Sequence, residues 1–368
     1  MRVVIAGGGT GGHLFPGIAV ADELMARDRK STVMFIGMER GIESRVIPKE
    51  GYQIKYIKAE AFLGRSALGK AKSLLRLTFA VFAARSLIRD AEPDVVIGTG
   101  GYVSMAPVLA ARLLSRPILI LEQNLVPGLA SKVLSRVADA VAVTYHESMS
   151  FFPREKTYLT GNPVRPGIMQ GEREAALELF QLEADRTTVL VIGGSAGAAS
   201  INNAVRGALN NMLDVKEDVQ FLHQTGERDF ESVRRAYRKL GFRAMVAPFV
   251  YEMAEAYAAA DLVVSRAGAT TLAELTALGK PAIVIPYPHA AGHQEFNARK
   301  LAEAGAAKMI TERELTGELL AATLRELCSS EETRAEMARQ SQALGRPDAT
   351  KKVADIAESL ARSREKNV

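Results

Sequence analysis

Short apolar runs alternate with longer helix-spaced segments along almost the whole chain. Residues 3–6 (VVIA), 32–36 (TVMFI), 95–97 (VVI) and 118–121 (ILIL) are nearly unbroken apolar runs, as expected of strands buried on both faces. Between them, residues 18–28 and 105–114 carry apolar positions at helical spacing. Strand, helix, strand in this order predicts a parallel sheet wrapped by helices on both faces.

The pattern restarts after Gly161-Asn162-Pro163-Val164-Arg165-Pro166-Gly167, whose two glycines and two prolines in so short a stretch read as an interdomain linker. A strand at 188–192 then leads into the glycine loop Gly193-Gly194-Ser195-Ala196-Gly197 and a helix from Ala199. Further strands are expected at 219–223, 262–265 and 282–285, and closing helices at 331–344 and 350–362. Two halves built on one plan predict an α/β protein of two facing Rossmann-like domains with a cleft between them. The expected division is 1–163, 164–345 and a C-terminal helical segment 346–368 that packs back on the first domain.

Composition narrows the classes. At 368 residues the chain suits two domains, and 48% hydrophobic with 24% charged residues is a folded composition. With no tryptophan and 6% aromatic residues, no stacking platform for single-stranded nucleic acid is expected, and nucleic acid is not an expected partner. The net charge of +5 is a mild basic excess. The single cysteine, Cys328, excludes an internal disulfide and sits in an apolar helical pattern as a small core residue. No apolar run reaches the length of a membrane span, and residues 3–6 are too short for a signal peptide's apolar region. The expected location is cytosolic, or bound to a membrane from the cytosolic side.

The candidate chemistry lies in loops at strand ends. Gly7-Gly8-Gly9-Thr10-Gly11-Gly12-His13 contains Gly-x-Gly-x-x-Gly between a strand and a helix, the context of a phosphate-approaching turn. A dinucleotide enzyme also needs an acidic residue ending the second strand; here that strand runs Phe35-Ile36-Gly37-Met38 and Glu39 comes late. Gly98-Thr99-Gly100-Gly101-Tyr102-Val103-Ser104 and the 193–197 loop repeat the arrangement. Each alone is compatible with a tight turn, but α/β sheets bind ligands at this edge.

The most informative stretch is residues 262–274, LVVSRAGATTLAE. A strand ends, Gly268 permits a turn, and a helix starts near Thr270, whose first amides and the hydroxyls of Thr270 and Thr271 suit a pyrophosphate. Glu274 suits ribose hydroxyls or, alternatively, is an acid favoured near a helix start. Gln294 and Asn297 share a helix face, suited to sugar hydroxyls or to capping and solvent. No Asp-x-Asp occurs in the chain, so a metal-free reaction is expected, with helix amides stabilising charge and no cofactor.

Gly9-Thr10-Gly11-Gly12-His13, Gly100-Gly101-Tyr102-Val103-Ser104, Glu122-Gln123-Asn124, Gly161-Asn162-Pro163-Val164-Arg165 and Arg266-Ala267-Gly268-Ala269 occur with the order and spacing of one family. From residue 1 to about 300 the chain resembles the MurG family, the GlcNAc transferases that make lipid II of the bacterial cell wall. The resemblance implies a GT-B fold, UDP-GlcNAc as donor and undecaprenyl-pyrophosphoryl-MurNAc-pentapeptide as acceptor. It implies substrate contacts at Thr10, Gly11, Gly12, Asn124, Arg165, Ser195, Val250, Ala269, Thr270, Thr271, Leu272, Ala273, Glu274 and Gln294. His13 stands at the position proposed for the general base. Leu121, Met105-Ala106 and Ala196 depart from the family pattern, which often has histidine, Gly-Pro and glutamine there.

For His13 two readings stand: a base for the acceptor hydroxyl, suited by a side-chain pKa near neutrality, or a helix cap or phosphate-positioning residue. His146, His223, His289 and His293 have no convincing metal-ligand spacing and read as ordinary polar or core residues. Residues 68–88 carry a wide apolar arc including Leu75, Phe79, Phe82 and Ile88, with Lys70, Lys72, Arg76, Arg85 and Arg89 beside it and Lys58 and Arg65 before it. That suits an interfacial helix on an anionic membrane surface or a fully buried helix. With the family resemblance, it implies peripheral attachment to the cytoplasmic face of the cell membrane, with cell-wall synthesis and division proteins as partners. The rival functions are a sugar-nucleotide epimerase or hydrolase of similar fold, and a dinucleotide oxidoreductase or non-catalytic nucleotide-binding module.

Overall fold

The structure, a computed structural model, describes residues 1–58, 67–194, 196–289 and 292–365, with the side chains of 67–74 and 364–365 outside the description. The chain divides into two compact units, one formed by residues 1–165 with 346–368 and the other by residues 166–345.

Unit 1 is built on seven strands: β1 (Arg2–Ala6), β2 (Thr32–Gly37), β3 (Gln53–Tyr56), β4 (Val95–Gly98), β5 (Ile118–Glu122), β6 (Ala140–Val143) and β7 (Thr157–Leu159). Their order in the sheet is β3-β2-β1-β4-β5-β6-β7, and every pairing is parallel. The helices are α1 (Gly11–Arg27), α2 (Glu43–Lys49), α3 (Ala67–Ala91), α4 (Met105–Leu113) and α5 (Leu129–Leu134).

Alternation along β1 explains the layering. Val3 and Ile5 pack with Leu14 and Ile18 of α1 on one face of the sheet. Val4 and Ala6 pack with Ala84 and Ile88 of α3 and Val108 of α4 on the other. Both faces are therefore dry, and each buried Val, Ile or Leu contributes roughly 1.5–3 kcal/mol.

Unit 2 has six strands: β8 (Thr187–Ile192), β9 (Val219–Gln224), β10 (Ala244–Ala247), β11 (Leu262–Arg266), β12 (Ala282–Ile285) and β13 (Ala307–Met309). They pair in parallel in the order β10-β9-β8-β11-β12-β13. Its helices are α6 (Arg173–Leu179), α7 (Ala199–Asn210), α8 (Phe230–Leu240), α9 (Met253–Ala259), α10 (Ala269–Ala277), α11 (His293–Glu303), α12 (Gly317–Ser329) and α13 (Glu331–Leu344). Val189 and Val191 of β8 share a core with Ile201 and Val205 of α7 and Leu320 and Leu324 of α12, and Cys328 packs partly buried against it.

The last helix, α14 (Ala349–Glu365), belongs to unit 1. Val353 and Ala357 enter the α1 side of that core, and Arg27 of α1 reaches Asp355 at 2.7 Å. Thr350 closes the join: its hydroxyl accepts from Val164 N at 3.0 Å and donates to Val164 O at 2.7 Å.

In each sheet the strand order reverses direction beside the first strand of the unit, between β1 and β4 and between β8 and β11. Loops leaving the carboxyl ends of those strands border a switch-point crevice, where open α/β sheets bind ligands.

Candidate functional site

In unit 1, the loop 7–10 after β1, the turn 99–101 after β4 and the segment 123–128 after β5 leave one edge of the sheet. Thr10 is the extended residue preceding α1, with no side-chain cap bond and no acidic residue in the first turn. Gly11, Gly12 and His13 form that first turn and are half-buried.

His13 does not cap its own helix with its ring. Its Nδ1 lies 3.1 Å from the carbonyl oxygen of Thr99 and 3.3 Å from Oε1 of Gln123. Gln123, 1% exposed, donates its Nε2–H to the same Thr99 oxygen at 2.8 Å. Gly100 and Gly101 line the ring with φ of +97° and +71°; a Cβ on Gly100 would stand 2.9 Å from Nδ1 and one on Gly101 3.1 Å from Cδ2. Only glycine meets both the left-handed backbone and the close approach.

Sequence reasoning missed the acid beneath this loop. Glu43, 1% exposed at the start of α2, accepts from Gly9 N and from Met38 N, each at 2.9 Å. A Cβ on Gly8, Gly37 or Gly41 would come within 2.4, 2.6 or 2.2 Å of Glu43 side-chain atoms. Three separate glycines thus make room for one carboxylate. It also acts on Tyr102, whose hydroxyl is pushed above its usual range by burial and then by the Glu43 charge.

Glu122 does similar work at the next strand end. Its carboxylate, 3% exposed, accepts from the Asn124 backbone at 2.9 Å, the Asn124 side chain at 3.1 Å and Gly128 N at 3.2 Å. The Glu-Gln-Asn run therefore divides its labour: Glu122 orders the loop and holds the Asn124 amide, and Gln123 contacts His13. Arg165 stacks over the Phe15 ring, 4.9 Å from its centroid, and its charge opposes the upward shift that burial imposes on Asp22.

In unit 2, β11 ends at Arg266 and α10 starts after Gly268, with no acidic residue in its first turn. Ala269, Thr270, Leu272 and Glu274 are buried and Thr271 and Ala273 are half-buried. Glu274 accepts a hydrogen bond from Tyr257 Oη at 2.9 Å, so its carboxylate is held by α9. Arg266 is paired with Glu312 and donates to Ser200 Oγ at 2.8 Å.

Gln224, at the end of β9, is a second residue missed from sequence. It donates to Gly194 O at 2.9 Å and accepts from Val250 N at 3.0 Å, joining the 193–197 loop to Val250. Gln294 accepts from Tyr287 N at 2.9 Å, placing its amide against the segment after β12. Asn297, in contrast, is wholly buried and does not face solvent. Ser195 lies outside the described residues.

The α3 helix is two-faced. Ala80, Ala84 and Ile88 are in the core, whereas Leu75, Phe79 and Phe82 are 58%, 67% and 63% exposed. Their i, i+4, i+7 spacing makes one outward apolar stripe, with exposed Arg76 beside it. A fully buried helix is thereby overturned, and Ile88 belongs to the core instead of the stripe. Arg65 lies outside the described residues, and Lys70 and Lys72 outside the described side chains. Among the described residues no helix is long and apolar enough to cross a membrane. His223 is a core residue, bonded to Tyr237 Oη at 3.1 Å and Asn202 Oδ1 at 3.0 Å; burial lowers its pKa to about 3.

Comparison with known proteins agrees across the chain. Residues 3–143 match the glycosyltransferase family 28 N-terminal domain and residues 188–360 the glycosyltransferase family 28 C-terminal domain. A protein of Thermodesulfovibrio yellowstonii named UDP-N-acetylglucosamine–N-acetylmuramyl-(pentapeptide) pyrophosphoryl-undecaprenol N-acetylglucosamine transferase is 51% identical, covering 98% of this chain and 99% of the relative. A Myxococcus xanthus protein of the same name is 48% identical over 98% of this chain and 93% of its own length. The crystal structure of Acinetobacter baumannii MurG matches with a TM-score of 0.76 at 31% identity, covering 97% of this chain and 99% of that one. A Neisseria meningitidis UDP-GlcNAc 2-epimerase shares the fold, with a TM-score of 0.66 at 15% identity over 96% of this chain and 99% of that one. With two parallel Rossmann-like units of the GT-B class and full-length relatives at this identity, the chain belongs to the MurG family of glycosyltransferases.

Proposed function

We propose that the protein transfers GlcNAc from UDP-GlcNAc to the MurNAc 4-hydroxyl of undecaprenyl-pyrophosphoryl-MurNAc-pentapeptide, with inversion and without a metal ion, giving lipid II. The observation that carries this reading is the 51% identity, over 98% of the chain, to a relative named for that transfer.

The 4-hydroxyl oxygen attacks the anomeric carbon, the bond from that carbon to UDP breaks, and UDP leaves with the electron pair. His13 takes the hydroxyl proton, a task suited to an imidazole that is mostly neutral at physiological pH. The first-turn amides of α10 and the Thr270 and Thr271 hydroxyls stabilise the charge that develops on the diphosphate. Glu274, already oriented by Tyr257, accepts from the ribose. Ser195, Val250, Ala269, Leu272, Ala273 and Gln294 complete the substrate contacts of unit 2, and Thr10, Gly11, Gly12, Asn124 and Arg165 those of unit 1.

The acceptor's lipid brings the enzyme to a membrane surface. We assign the exposed stripe of Leu75, Phe79 and Phe82, with Arg76 and Lys72, to peripheral attachment on the cytoplasmic face of the cell membrane; apolar side chains flanked by basic ones suit anionic lipid. Reversing Lys70, Lys72 and Arg76 to glutamate should reduce co-sedimentation with anionic liposomes, and unchanged binding would sink this assignment.

The reaction itself is tested with radiolabelled UDP-GlcNAc and a short-chain analogue of the lipid acceptor, with and without EDTA. Transfer of label to the lipid in both conditions is expected. Release of free sugar in the absence of acceptor would point to a hydrolase.

A further inference from the structure

The hydrogen bonds around His13 fix which of its nitrogens can act. We propose that Gln123 is a positioning residue that, together with the Thr99 carbonyl, holds His13 as the Nδ1–H tautomer and so puts the basic lone pair on Nε2. The inference rests on the reading of His13 as the base and adds the group that prepares it.

The Thr99 carbonyl oxygen only accepts, so the Gln123 amide atom 2.8 Å from it is the nitrogen and the His13 Nδ1 at 3.1 Å carries a proton. With the Gln123 nitrogen committed there, its oxygen is the atom 3.3 Å from Nδ1, a second acceptor for the same N–H. Gln123 is 1% exposed at the end of β5, so its amide does not exchange this arrangement for water. The backbones of Gly100 and Gly101 close on the ring and keep it in register with both acceptors.

The choice of an amide has a chemical consequence. A carboxylate against Nδ1 favours the imidazolium and raises its pKa, keeping a proton on Nε2. A neutral amide fixes the tautomer without that charge, leaving the ring able to accept a proton at neutral pH. Several charged and titratable groups around this corner have contacts of their own. Glu43 accepts from Gly9 and Met38, with Tyr102 under its influence. Glu122 binds Asn124 and Gly128, and Arg165 lies over Phe15 on α1.

The test is a histidine-selective ¹⁵N titration of the full chain, which has five histidines, with His13 assigned by its loss in His13→Ala. The wild type should show Nδ1 protonated and Nε2 unprotonated in the neutral ring. In Gln123→Glu the His13 titration midpoint should rise by about one pH unit or more, and the acidic limb of the kcat profile should move up with it. Gln123→Met should lower kcat by about tenfold or more, with KM for UDP-GlcNAc within about twofold. An Nε2–H ring in the wild type, or an unmoved midpoint in a Gln123→Glu protein of native thermal stability, would overturn the proposal. If the midpoint moves and the acidic limb does not, the positioning by Gln123 stands and His13 is not the base.

Discussion

The turn before α1 and the turn before α10 occupy equivalent places, each after a strand beside the switch point of a parallel sheet, yet they are built for different work. The α10 turn has a glycine cap and, like α1, no acidic residue in its first turn, so the positive end of the helix suits an anion. The α1 turn has a buried carboxylate, Glu43, on the amide of Gly9. An amide already bonded to an anion is a poor phosphate ligand, and the buried negative charge opposes a second anion. What distinguishes the first loop is the side chain it delivers, His13, and the cage of Thr99, Gly100, Gly101 and Gln123 that receives it. A glycine-rich loop at a switch point therefore says where a ligand lies and not which part of it is held there.

The strongest way to break this contrast is to remove the brace. Glu43→Ala removes the shared acceptor of two part-buried hydrogen bonds, from Gly9 N and Met38 N, and should cost about 1–3 kcal/mol of stability, read by urea unfolding. Unchanged stability would mean that Glu43 does not organise the loop. A smaller effect tests the other turn. Thr271→Glu adds a negative charge where α10 begins and should weaken UDP binding by about tenfold in calorimetry. The same charge favours the helix by about 0.3–1 kcal/mol, so affinity should fall without any loss of thermal stability.

The smallest effect separates the units by pH. His223 in unit 2 has a pKa lowered by burial to about 3, from 6.5, so the unfolded chain binds the proton more readily than the native one. Its contribution is intact above pH 6.5 and is lost progressively as pH falls towards 3. Between pH 6.5 and about pH 5 the loss should be about 1–2 kcal/mol by denaturant unfolding, and His223→Gln should flatten it. Asp22 in unit 1 has the opposite sign: burial raises its pKa, so acidification through the raised value favours the folded state.

These contrasts also show what the chain discloses before it is folded. The runs at 95–97, 118–121 and 282–285 became β4, β5 and β12 because central parallel strands are apolar on both faces. Strands β3, β6, β7, β10 and β13 were not anticipated; they have three or four residues, and β3 and β10 are not wholly buried. Helix α1 starts at Gly11, seven residues before the expected Ile18. Gly11, Gly12 and Pro16 have weak helix preference, and tertiary packing at β1 overrides it. The expectations for His13 and the 268–274 stretch came from local signals, a glycine loop and a strand-turn-helix pattern. Glu43, Gln123 and Gln224 were not, since their partners lie 34, 110 and 30 or so residues away. The one available sign of Glu43 was the surplus of glycine in Gly8, Gly37 and Gly41, which only a folded chain brings around a single carboxylate.

The division of labour between the two turns is tested most directly by His13→Ala supplied with saturating UDP-GlcNAc and the lipid acceptor. Transfer of label should fall by about a hundred- to ten-thousandfold, while calorimetric affinity for UDP stays within about twofold, since the nucleotide is assigned to the α10 turn. Transfer at near the wild-type rate, or loss of UDP binding in step with transfer, would contradict the account.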